Sequence, residues 1–220
     1  LYMENIRKIL KNKILILDGA MGTMIQDHKL DENDYRGDKF SDYISSLKGN
    51  NDLLSITQPK IIEDIHYKYL MAGADIIETN TFNANSISQS DYNLEDFVFE
   101  MNFQSAQIAK NAVKRFNKNN EDKKFVCGSI GPTNRTASLS PKVEDLSFRN
   151  VTFDELYATY YEQVDGLIKG GVDLLMIETI FDTLNCKAAI IAINNYLDDH
   201  NLDIPLMISV TIVDKSGRTL

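Results

Sequence analysis

Gly171-Val172-Asp173-Leu174-Leu175-Met176-Ile177-Glu178-Thr179 is answered earlier in the chain by Gly73-Ala74-Asp75-Ile76-Ile77-Glu78-Thr79, and the later copy is longer by two residues. Each stretch reads as a helix end, a Gly-x-Asp turn, an apolar strand and a closing Glu-Thr. Side chains alternate faces along a strand with period two. An insertion of two therefore leaves the glutamate on the same face. A strand-terminal acid repeated on one face is the pattern of a barrel whose site lies at the C-terminal ends of its strands. The competing reading is that both acids cap helices or pair with surface lysines. It weighs more on Glu78 than on Glu178, whose strand is the more apolar.

Residues 13–18, 75–80, 125–131, 173–179 and 205–213 form five short, nearly continuous apolar runs. Such runs are the mark of parallel strands covered on both faces. Four helices are expected between them. The first opens at Pro59, a favoured first helical residue, and ends at Gly73. The second runs from about Leu94 to Phe116, with Leu94, Val98, Met101, Ile108, Ala112 and Phe116 on one face. Thr152-Phe153-Asp154-Glu155 is a capping box that starts the third, and Gly170-Gly171 closes it. The fourth spans about Thr183 to Tyr196. Residues 51–56 read as an extended piece of the long first connection. The alternation predicts an α/β fold, a (β/α)8 TIM barrel of which this chain holds about five of eight units. The chain is read as one domain over 1–220. An open doubly wound sheet is the alternative, but the first strand lacks a GxGxxG turn.

Composition narrows the function. A hydrophobic content of 43% supports a large core, and a net charge of −9 argues against nucleic acid or an anionic membrane as partner. No apolar run is long enough to span a bilayer. Cys127 and Cys186, 59 residues apart, form no metal-ligand spacing or disulfide framework, so a reducing cytoplasm is expected. His28, His66 and His200 have no partner at ligand spacing and read as solvated or satisfied structural residues.

Three strand exits can carry chemistry. Asp18-Gly19-Ala20-Met21-Gly22-Thr23 combines an acid with glycines, so one loop can meet an ammonium through Asp18 and an anion through backbone N–H groups. Asn80-Thr81-Phe82-Asn83-Ala84-Asn85 offers uncharged polar groups, suited to ligand recognition or to helix capping. Gly128-Ser129-Ile130-Gly131-Pro132-Thr133-Asn134-Arg135 brings backbone near the pocket at Gly131. An aldolase-type barrel would want a lysine at a strand end, and none of the runs ends in one.

Six ordered blocks, Leu17-Asp18-Gly19-Ala20-Met21-Gly22-Thr23-Met24-Ile25-Gln26, Gly49-Asn50-Asn51-Asp52-Leu53-Leu54, Gln58-Pro59, Glu78-Thr79-Asn80-Thr81-Phe82, Gly131-Pro132-Thr133-Asn134-Arg135 and Glu178-Thr179-Ile180-Phe181-Asp182-Thr183, resemble the homocysteine S-methyltransferase family, and the resemblance runs from about Ile14 to Thr219. The pattern is most similar to the homocysteine-binding module of cobalamin-dependent methionine synthases. The resemblance implies transfer of a methyl group to a zinc-bound homocysteine thiolate. The donor would be methylcobalamin, recharged by methyltetrahydrofolate on cobalamin- and folate-binding modules of the same or a separate chain. It implies that Asp18 and Glu178 meet the substrate amino group, and that N–H groups of Gly19, Met21 and Gly22 meet its carboxylate. Asn80, Thr81 and Gly131 are the further substrate-binding candidates. The family's zinc ligands are a Cys in a Gly-x-Asn-Cys block and a pair in a Gly-Gly-Cys-Cys block. Neither block occurs here, and by the resemblance both would lie beyond Leu220. This chain is therefore expected to bind no zinc and to be inactive alone. Donors such as S-methylmethionine or betaine, or a non-catalytic binding module, are the alternatives.

Overall fold

The computed structural model describes residues 3–118, 120, 122–212, 215–217 and 219. Its helices are α1 (Met3–Ile9), α2 (Met21–Gln26), α3 (Glu32–Arg36), α4 (Leu54–Thr57), α5 (Pro59–Ala72), α6 (Ser86–Gln89), α7 (Val98–Asn117), α8 (Phe153–Gly170) and α9 (Thr183–Asp199). Its strands are β1 (Ile76–Glu78), β2 (Phe125–Ile130), β3 (Leu174–Ile180) and β4 (Leu206–Val210). They form one parallel sheet in the order β1-β2-β3-β4. Each step between neighbours is made by one of the long helices α7, α8 and α9. Sequential order without reversal is barrel winding, not the switch-point order of a doubly wound sheet.

The repeated Gly-x-Asp turn has one structural job in both copies. Asp75 Oδ2 accepts from the backbone N–H of Ile16 at 3.2 Å, and Asp173 Oδ2 accepts from that of Val126 at 2.8 Å. Each aspartate thus ties the foot of its strand to the preceding one. Each is also neutralised by lysine: Lys13 and the buried Lys124 on Asp75, and Lys110 on Asp173. Period two does the rest. Ile77, Val126, Leu175 and Ile177 face outward into the core under α7–α9. Ile76, Phe125, Cys127, Leu174 and Met176 face inward, where Ile6 of α1 covers their N-terminal end. A second apolar cluster, built on Ile25, Leu47, Leu53, Leu54, Ile62 and Met101, packs the 20–57 connection against α5 and α7.

Helix limits follow the local chemistry. Pro59 opens α5, and left-handed Gly73 and Gly171 close α5 and α8. The Thr152–Glu155 capping box forms in both directions. A turn of 3-10 helix over Glu95–Phe97 leads into α7.

Two expectations are corrected. Residues 13–18 are not a strand of the ladder. They run extended beside β1 through a single bridge, Leu17 to Ile76, with Ile14 88% and Ile16 59% exposed. The segment lies at an edge and is paired on one side only. Residues 51–56 are helical rather than extended: a 3-10 turn over Asn51–Leu53 runs into α4. Their apolar run is short enough to suit either conformation, and burial of Leu53 and Leu54 in the second cluster selects the helix. At the far edge, the run expected over 205–213 pairs with β3 from Pro205, whose carbonyl accepts from Leu175 N–H, through β4 to Thr211, whose N–H donates to Ile180 O; position 213 lies outside the described residues. So does Leu220, the position beyond which the zinc-ligand blocks are expected.

Candidate functional site

The inward-facing residues at the strand C-termini end in acids rather than in apolar side chains. Glu78 follows Ile76 on β1, and Glu178 follows Met176 on β3. Between them on β2 is Ser129, whose strand partner is Met176. The three side chains, with Asp18, Gly19, Ala20, Met21, Gly22, Thr79, Asn80, Thr81 and Phe82, line a cavity of about 360 Å³. No Lys, Arg or His lines it among the described residues.

Burial makes this acidic group costly, because a desolvated carboxylate needs a partner. Asp18 Oδ2 accepts from the backbone N–H of Glu78 at 3.1 Å, while Oδ1 is buried with no hydrogen-bond partner. Burial, with a smaller contribution from Glu178, pushes the Asp18 carboxyl up to about 7 against the pull of its backbone donors. Burial, then Glu178, then Asp18 push Glu78 up to about 8. Glu178 is held: Ser129 Oγ donates to its Oε1 at 2.5 Å, and Thr179 Oγ1 approaches Oε2 at 3.4 Å.

The backbone around Glu178 is unusual. The β3–β4 register shifts between Ile177 and Ile180, and Thr179 has φ 55°. A β-branched residue rarely takes that left-handed conformation. Bulges of this kind re-aim side chains next to functional sites. Here the bulge follows Glu178 directly.

The remaining candidates divide. Gly19, Met21 and Gly22 line the cavity, and α2 begins at Met21, so its first N–H groups lack intrahelical acceptors. Asn80 reaches the wall, but its amide nitrogen donates to Asn51 O at 2.7 Å and Ser55 Oγ at 3.2 Å. Thr81 is fully buried, its hydroxyl bonded to Thr79 Oγ1 and to the Ser129 carbonyl. Both therefore brace the wall. In the same loop Asn85 caps α6. Gly131 is outside the cavity, contrary to expectation; it lines a neighbouring crevice with Pro132 and Asn185. Its N–H donates to Phe82 O at 3.1 Å, and a Cβ there would lie 2.3 Å from that oxygen. Its lack of a side chain lets the Phe82 loop close on the sheet. Ser129 was not singled out from sequence, although period two places it on the face of Cys127.

His66 departs from its expected role. It is fully buried in α5, and neither ring nitrogen has a hydrogen-bond partner. His200 is exposed and stacks on Tyr196.

The donor set here does not fit a zinc ion. Cys127 is buried among the inward apolar side chains, and Cys186 lies on α9 against the outer core. No group of three or more His, Cys, Asp or Glu is placed to hold a metal among the described residues, and these do not include Leu220.

Parallel β/α units wound in one direction, with acids gathered at the strand C-termini, define a partial TIM barrel with a candidate site at the usual end. The profile described as homocysteine S-methyltransferase matches residues 15–220. The chain belongs to that family. It is similar in fold to the homocysteine methyltransferase MmuM from Escherichia coli. With the metallated form the TM-score is 0.70 at 22% identity over 95% of this chain and 67% of that one. With the oxidized form it is 0.71 at 22% identity over 97% and 69%, and with the apo form 0.65 at 20% over 95% and 64%. No helix among the described residues is long and apolar enough to cross a membrane.

Proposed function

We propose that this chain is the part of a methionine synthase-type enzyme that holds homocysteine by its amino-acid end. The substrate ammonium enters between Asp18 and Glu178. Its carboxylate meets the free N–H groups at Gly19, Met21 and Gly22. The observation that carries this reading is the buried, unpartnered Asp18 Oδ1 beside Glu178 in a cavity that no basic side chain lines among the described residues. An ammonium supplies the missing donor and the missing charge together. The roles are recognition and orientation; neither acid is asked to move a proton at sulfur.

The thiolate chemistry belongs to residues other than these. Zinc, methylcobalamin as donor and methyltetrahydrofolate as its source fit the wider enzyme, with cobalamin- and folate-binding modules as partners and the cytoplasm as location. The choice of methylcobalamin over S-methylmethionine or betaine rests on the similarity of blocks 18–26 and 178–183 to methionine synthases. Calorimetric titration with L-homocysteine tests the reading. Binding lost on replacing Asp18 by Asn supports it; unchanged binding would refute it.

A further inference from the structure

The cavity holds one acid more than the ammonium pocket just described requires. Glu78 shares the lining with Asp18 and Glu178. Its carboxyl makes no hydrogen bond or ion pair among the described residues. It is nonetheless fixed to the other two. Its own backbone N–H is the donor to Asp18 Oδ2, and it pairs in register with Cys127, two residues before the serine that holds Glu178. A displacement of Glu78 thus disturbs Asp18 directly.

We propose that Glu78 is a third carboxyl of the ammonium pocket and determines its specificity, giving up its proton to solvent when an α-amino acid binds. The inference rests on the amino-acid-binding reading and extends it. Without ligand, three carboxyls share one cavity with no cation among its described lining residues. The cheapest arrangement leaves at least one of them neutral, as for any carboxyl pair sharing a site. The titratable groups facing Glu78 are Asp18 from the first segment, Glu178 from β3 and the buried Cys127 thiol from β2; Tyr69 of α5 faces Asp18. The lysines near β1, Lys13 and Lys124, are bound to Asp75 at the other end of the sheet. Burial, then Glu178 and Asp18, hold the Glu78 proton to about 8. An arriving ammonium offsets the repulsion, and the proton leaves through the cavity mouth. A ligand without an amine cannot drive that ionisation, so it loses the contact and meets a neutral acid instead. Selection for the amine is built from a charge that exists only in the complex.

The test is calorimetric titration of the whole chain at pH 7.5 in buffers of different ionisation enthalpy, which counts protons. L-methionine is the probe, because its thioether has no proton to lose and binds no zinc-dependent site as a thiolate. Wild type should release about one proton per methionine, and its affinity should rise between pH 6.5 and 8.5. The amine-free analogue 4-(methylthio)butanoate should bind more weakly and release none. Glu78→Gln should release well under half a proton, bind methionine roughly tenfold more weakly and lose most of the pH dependence. Equal proton release by wild type and Glu78→Gln, or by methionine and its amine-free analogue, would overturn the inference while leaving the binding reading intact. Failure of wild type to bind either homocysteine or methionine would instead overturn the binding reading.

Discussion

Ser129 Oγ donates a 2.5 Å hydrogen bond to Glu178 Oε1, across the β2–β3 pair and within the lining of the cavity. The bond fixes one oxygen of the acid, and Thr179 Oγ1 lies 3.4 Å from the other. Ser129→Ala should therefore weaken homocysteine binding about tenfold, near the lower end of the range for a bond to a charged group, with the fold unchanged. Calorimetry and a thermal melt separate the two effects. A large loss of stability with unaltered affinity would assign the serine to the scaffold alone.

Thr179 carries backbone strain for the sake of its neighbour. With φ 55° in a β-branched residue, the left-handed conformation costs about 1–2 kcal/mol. Thr179→Gly should raise stability in denaturant titration by up to about 1 kcal/mol. It should also lower amino-acid affinity, because Glu178 loses its fixed aim. Tighter binding by the variant would contradict the role given to the bulge.

Gly131→Ala should damage the site from outside it. The added Cβ meets Phe82 O at 2.3 Å, and that oxygen is backbone, so the loop must move. A loss of at least about 2 kcal/mol is expected from overpacking, with weakened ligand binding because Phe82 lines the cavity. Chemical denaturation and calorimetry of the variant check both.

These residues mark how much was legible in the sequence. The repeated Gly-x-Asp…Glu-Thr stretch was enough to place Glu78 and Glu178 on one face, because strand period is a local property. Pro59, the Thr152 capping box and Gly171 were legible for the same reason. The first segment was not. Its apolar run reads as a buried strand, but how many neighbours a strand pairs with is decided elsewhere in the chain. Residues 51–56 were misread because a short Leu-rich run suits strand and helix equally. The Thr179 bulge had no local signal, since threonine argues against the conformation it adopts. The bond from Ser129 to Glu178 became visible only once the strand register was known.

His66 predicts a pH effect. Burial holds its imidazole down at about 4, against about 6.5 in the unfolded chain. Between those values the unfolded chain binds a proton that the folded protein does not. Stability from this group is therefore complete above about 6.5 and is lost as pH falls toward 4. His66→Leu removes an unpartnered buried polar group and should raise stability by about 1–3 kcal/mol at neutral pH. It should also flatten the decline of Tm between pH 6.5 and 4.5. A destabilised variant would mean that the ring is satisfied in solution.

On the proposed reading, Asp18 and Glu178 grip the amino group of an α-amino acid at the strand C-termini. The most direct measurement is the affinity of L-homocysteine for wild type and for Glu178→Gln, each compared with 4-mercaptobutanoate, which lacks only the amine. Glu178→Gln should bind homocysteine about 10- to 150-fold more weakly, the equivalent of about 1.5–3 kcal/mol, with 4-mercaptobutanoate changed little. An equal loss for both ligands, or no loss for homocysteine, would contradict the claim.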